Sequence, residues 1–170
     1  PAPDPERQKA ALAMNLEAHR LAEAGEIEHA ILTFERLATL YPESFLAPRA
    51  DFAAASLVGR DGPRAGAERF LRFVEKRPAH ELADDALCEA AALVLALEDV
   101  EETRTLLRRV LAEYPGGDRA AEAAFRLGKV EEEAGRREDA LAAYRFAFEA
   151  YPGTSWASQA LARHRELEVK

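Results

Sequence analysis

From Asp118 to Pro152, DRAAEAAFRLGKVEEEAGRREDALAAYRFAFEAYP, apolar residues recur at helical spacing on both sides of Gly135. The pattern predicts two short helices joined by a turn. Gly128, Ala140 and Ala147 are small where the two helices must touch, and Leu127, Tyr144 and Phe148 supply bulk around those contacts. Neither helix hides its apolar stripe alone, so the unit needs neighbouring copies to cover it. Ala140, Tyr144 and Pro152 form a frame, small-x3-large-x7-Pro, that recurs as Ala30, Phe34 and Pro42, as Gly66, Phe70 and Pro78, and as Thr103, Leu107 and Pro115. The prolines stand 36, 37 and 37 residues apart. Three positions in register four times mark a repeat protein.

The remaining elements fall into place around that frame. Asp4 caps and Pro5 opens a first helix, which runs to about Ala24 and stops at Gly25. Its partner spans Glu26 to Leu40, with Ala30, Phe34 and Leu37 inward, and ends at Tyr41-Pro42 because a residue before proline avoids helical dihedrals. The second repeat runs from Phe45 to about Val58, turns at Asp61-Gly62-Pro63, and makes its close contact at Gly66 and Phe70. A glycine inside a helix costs roughly 1 kcal/mol against alanine, so close packing accounts for Gly66. Leu82 to Ala96 is the most apolar helix and is expected to be buried on two sides; Val100 to Glu113 follows across a turn, Leu97-Glu98-Asp99, that lacks glycine. Thr154 or Ser155 caps a last helix to about Glu168, with Trp156, Ala160, Leu161 and Leu167 against the stack and Gln159, Arg163, Arg165 and Glu166 toward water. This helix is either a polar-backed cap or the opening of a fifth repeat; His164-Arg165, standing where Leu-Gly would recur, favours the cap.

Composition narrows the functions available. Ala, Leu, Arg and Glu dominate, which argues for an all-α chain, and a net charge of −8 disfavours nucleic acid, whose phosphates need clustered Lys and Arg. The longest apolar run, Ala90 to Leu97, falls far short of the roughly 20 residues of a membrane span. The single Cys88 excludes an intrachain disulfide and a cysteine-based zinc site, and is silent on compartment. The start, PAPDP, reads either as a linker left after removal of a signal or anchor or as a point where a longer sequence was cut.

The order Leu127-Gly128, Gly135, Ala140-x3-Tyr144, Pro152 resembles the tetratricopeptide repeat, with Glu131 in place of the usual aromatic and Ala124 in place of the tryptophan. The resemblance covers about residues 11 to 154. It implies a right-handed α-solenoid of about four helix pairs, with repeats at about 5–44, 45–81, 82–117 and 118–154 and a capping helix at 155–168, all in one domain. The period exceeds the usual 34 residues, the excess falling after each proline in YPESFLAP, RPAHELAD and YPGGDRAA. That longer joint, its Tyr-Pro and the YPGT-SWASQAL ending look like the repeat arrays of bacterial envelope proteins, the Tol-Pal-associated periplasmic protein and the β-barrel-assembly lipoprotein. A periplasmic or envelope location is the expectation, with the cytoplasm as the alternative.

The resemblance further implies a concave groove, lined by the first helix of each pair, that takes a peptide or helix of a partner. Carried over, its rows are Leu12, Asn15, His19 and Ala22; Pro48, Asp51, Ala55 and Val58; Asp85, Cys88, Ala92 and Leu95; and Glu122, Phe125, Lys129 and Glu132. Ala55, Cys88, Ala92, Leu95 and Phe125 would make a small apolar floor, and Asp51, Asp85 and Glu122 an acidic edge, suited to an apolar segment with Lys or Arg flanks. Cys88 and Phe125 could equally be core between repeats. A terminal-carboxylate clamp finds only Lys129 and Asn15 of the right kind, in different repeats.

Catalysis finds little support. His19, His29, His80 and His164 have no mutual i, i+3 or i, i+4 spacing, so no helical metal pair exists, and no cofactor is expected. Glu131-Glu132-Glu133 reads as a solvated face beside Arg136 and Arg137, and Gly59-Arg60-Asp61-Gly62 as turn chemistry. Phosphate-loop and nucleophile motifs are absent. The expectation is a non-enzymatic protein-binding scaffold. The alternatives are a self-assembling building block and a regulatory domain of a longer chain.

Overall fold

The computed structural model describes residues 4–169. Of the PAPDP start, residues 1–3 lie outside the described part. Among the described residues there are nine helices and no strand: α1 (Pro5–Glu23), α2 (Ile27–Leu40), α3 (Leu46–Asp61), α4 (Pro63–Lys76), α5 (Ala83–Leu95), α6 (Val100–Glu113), α7 (Ala120–Glu133), α8 (Arg137–Ala150) and α9 (Ser155–Glu168). The fold is all-α and built of repeated helix pairs. None of the described helices is long and apolar enough to cross a membrane.

The recurring frame holds in three dimensions. Ala30, Gly66, Thr103 and Ala140 are all buried, as are Phe34, Phe70, Leu107 and Tyr144 one turn later. Each proline follows a C-cap, at Tyr41, Arg77, Tyr114 and Tyr151. Asp4 accepts from Glu6 N–H at 3.0 Å, and Thr154 accepts from Ala157 N–H at 3.0 Å, so both expected caps form.

Three turns share one geometry. Gly25 (φ +80°), Glu98 (φ +60°) and Gly135 (φ +72°) each stand two residues before the next helix. Glu98 therefore occupies a left-handed position that its neighbours fill with glycine. The fourth turn differs. The helix expected to stop near Val58 continues to Asp61, with Gly59 buried inside it, so Gly59-Arg60-Asp61 is helix and only Gly62 (φ −131°) remains as the joint. Pro63 opens α4 and holds Gly62 extended.

The chain divides into two compact units; the first ends at Ala86 and the second begins at Leu87, within α5. In the first, α1 packs on α2 and α3, α2 on α3, and α3 on α4. Its core gathers Ala11, Ala18 and Leu21 of α1, Ala30, Phe34 and Leu37 of α2, and Leu46, Ala50, Ala54 and Leu57 of α3. Phe52 lies edge-on to Phe70 and Phe73, with centroids 4.9 and 6.1 Å away. Arginine–carboxylate pairs in this unit join Arg7 to Glu43 at 2.6 Å and Arg49 to Glu81 at 2.8 Å.

In the second unit, α7 packs on α6, α8 and α9, and α8 on α9. Ala160 and Leu167 of α9 join Ala124, Ala140, Tyr144 and Ala147 in one core, so α9 does lie against the preceding pair. Arg163, expected to face water, instead donates from Nε to Glu132 at 2.8 Å.

Candidate protein-binding site

The end of α5, the middle of α6 and the second half of α7 enclose a trough of about 200 Å³. Ala91, Ala92, Leu95, Leu107 and Val130 line it with apolar surface, and Thr103, Arg126, Lys129 and Glu133 complete it. The Thr103 hydroxyl donates to the Asp99 carbonyl at 2.8 Å, so it leaves no unsatisfied donor in the floor. Arg126 is held by Glu122 at 2.5 Å. Lys129 and Glu133 are exposed and make no ion pair with any described residue.

Three of the row residues read from the sequence, Ala92, Leu95 and Lys129, line this trough. The others do not share it. Cys88 and Ala55 are buried core. Burial lifts the Cys88 thiol from 9.0 to about 11, although the nearby Arg119 pulls the other way, so the group is an inert thiol. Phe125 sits between Tyr144 (5.8 Å) and Trp156 (5.5 Å), packing α7 onto α8 and α9 instead of facing a groove. Glu132 accepts from the Tyr144 hydroxyl at 2.9 Å and from Arg163.

The acidic edge is largely consumed internally. Asp51 pairs with Arg77 at 2.7 Å, and buried Glu122 pairs with Arg119 at 3.0 Å as well as with Arg126. Asp85 is half-buried. In the first unit, Asn15 and Val58 are half-buried, and exposed His19 lies edge-on to Phe34 at 5.0 Å.

The Glu131-Glu132-Glu133 run is not a solvated face. The Glu131 side chain is 1 % exposed and accepts from Arg104 Nε (2.7 Å), Arg108 Nη2 (3.1 Å) and Arg136 Nη1 (3.3 Å). Only Glu133 of the three is exposed. Arg137 turns away as well, donating to the Leu167 carbonyl at 2.5 Å.

Residues 122–154, which carry one side of the trough, match the tetratricopeptide repeat family. This segment is a tetratricopeptide repeat. Solved structures share the fold over nearly the whole chain. A crystal structure of MamA aligns at TM-score 0.65 and 17% identity, covering 96% of this chain and 84% of its own. A tetratricopeptide repeat protein from Parabacteroides merdae aligns at TM-score 0.71 and 13% identity, covering 95% of this chain and 61% of its own. MamA residues 41 to the end from Desulfovibrio magneticus align at TM-score 0.62 and 18% identity, covering 94% and 95%. At these identities the likeness is one of fold. No curated protein matches the sequence. Arg126, Lys129, Val130 and Glu133 of the trough fall within the matched segment, and the rest of its lining precedes it.

Proposed function

We propose that this chain is a non-catalytic scaffold that takes an apolar segment of a partner protein into the trough of the second unit. The observation that carries this reading is the recess itself, whose alanine, leucine and valine floor stands beside the unpaired charges of Lys129 and Glu133. Apolar burial supplies the affinity, at about 25 cal/mol per Å², and the rim selects the partner's register. Glu133, in place of the expected acidic edge of Asp51, Asp85 and Glu122, meets a basic flank of the partner, and Lys129 favours a carboxylate beside it. Peptides selected from a random library on the intact protein test the reading. Ala92→Arg should abolish their binding with helicity preserved, and unchanged affinity defeats the assignment.

A cell-envelope assembly is the setting we infer, supported by the 36- and 37-residue period and by the Tyr-Pro joints at Tyr41, Tyr114 and Tyr151. Fractionation of the native protein checks it, and recovery with cytoplasmic markers alone overturns it. A second reading, self-association, draws on Leu12 and Leu16, which lie one turn apart on α1 and are 47% and 62% exposed. Light scattering over a concentration series decides between a monomer and an oligomer.

A further inference from the structure

We propose that the first unit holds a second binding site, of opposite character, for an anionic segment of a partner protein. A cleft of about 300 Å³ opens among α2, α3 and α4, and four of its lining residues are Arg69, Arg72, Lys76 and Arg77. Its two carboxylates are already engaged: Glu35 pairs with Arg69 at 2.5 Å and Asp51 with Arg77 at 2.7 Å. Arg72 and Lys76 are exposed and make no ion pair with any described residue, so the cleft carries two uncompensated positive charges. Arg77 adds an unused donor, because its Nη1 is buried without a hydrogen-bond partner among the described residues. A buried donor of this kind is costly to the fold until an acceptor reaches it.

The spacing explains how the cations converge. Arg69, Arg72 and Lys76 follow i, i+3, i+7 along α4 and share one helix face. Phe73, itself buried, underlies the same cleft, and the Arg77 guanidinium stands 5.3 Å from its ring, which helps hold that cation in place. Guanidinium forks grip carboxylates and phosphate esters alike, so either group on a peptide suits the site. In a chain of net charge −8 the long-range field repels anions, and binding must come from contact within a Debye length of about 8 Å. A compact cleft in an acidic protein suits a few side-chain oxyanions better than a nucleic-acid backbone, which needs an extended basic track.

Fluorescence anisotropy with a fluorescein-labelled glutamate-rich peptide, its phosphoserine and glutamine counterparts, and an oligonucleotide of matched charge tests the site on the intact protein. We expect the glutamate or the phosphoserine peptide to bind at near-physiological salt and the glutamine peptide not to bind. The double variant Arg72→Glu/Lys76→Glu should weaken binding by about tenfold or more with an unaltered far-UV spectrum, while Ala92→Arg in the other unit leaves it unchanged. Which anionic peptide binds more tightly tells carboxylate from phosphate. Failure of both to bind, equal affinity for the double variant, or tighter binding of the oligonucleotide overturns the proposal.

Discussion

Gly128 lies so close to the ring of Tyr144 that a Cβ on it would stand 2.5 Å from Cδ1 and Cε1. This contact seats α7 on α8, and Tyr144 is fully buried there with its hydroxyl on Glu132. Gly128→Ala forces the ring or a helix to move and should cost about 1–3 kcal/mol, read as a lower denaturant midpoint at constant slope. Tyr144→Phe keeps the packing and loses one hydrogen bond, for about 1 kcal/mol.

Glu131 and Arg104 make a largely buried ion pair, with side chains 1% and 13% exposed. Removing Glu131 leaves the Arg104 Nε without its acceptor, while Glu101 still holds Nη1 at 2.6 Å. Glu131→Ala should destabilise by about 3 kcal/mol, because Arg104 and the arginines around it lose their shared acceptor. Glu131→Tyr restores the repeat's usual aromatic but leaves Arg104 short of a partner, and Arg104→Leu added to it should recover most of the loss. A double-mutant cycle by urea unfolding checks this coupling.

Glu98 adopts φ +60° where equivalent turns use Gly25 and Gly135. A left-handed backbone costs a side-chain-bearing residue roughly 1–2 kcal/mol, partly offset by the greater freedom glycine loses on folding. Glu98→Gly should therefore stabilise the protein by up to about 1 kcal/mol, and Gly135→Ala should destabilise it by about as much. Thermal unfolding of the two variants, run side by side, reads the opposite signs.

Burial raises the Cys88 thiol to about 11, so folding favours its protonated form. The resulting stability is complete below pH 9 and is lost as pH rises through 9 to 11. At pH 8 the thiolate population is about 100-fold below that of the unfolded chain, so labelling by a disulfide reagent should be slowed at least that much in the native protein and released by denaturant.

The helix pairs were legible because each repeat writes its closest contact in side-chain size, and Ala30, Gly66, Thr103 and Ala140 all meet the same buried fate. The lining of the trough was legible in part. Spacing along α5 and α7 found Ala92, Leu95 and Lys129, but missed Arg126, Val130 and Glu133 on the same side of α7. The row drawn through Phe125 and Glu132 was rotated about one residue off. Phe125 follows Trp156 and Glu132 follows Arg163, and both partners lie on α9, a tertiary demand that helical periodicity does not carry. Glu131 was misread for a related reason. Its partners Arg104 and Arg108 sit more than twenty residues away, on another helix.

Methyl NMR on a complex with a library-selected peptide tests the central claim most directly. Binding in the trough predicts that Leu95, Leu107 and Val130 methyl resonances shift on titration while those of Leu37 and Leu57, in the core of the first unit, stay in place. Shifts confined to the first unit, with the trough methyls unmoved, would contradict it.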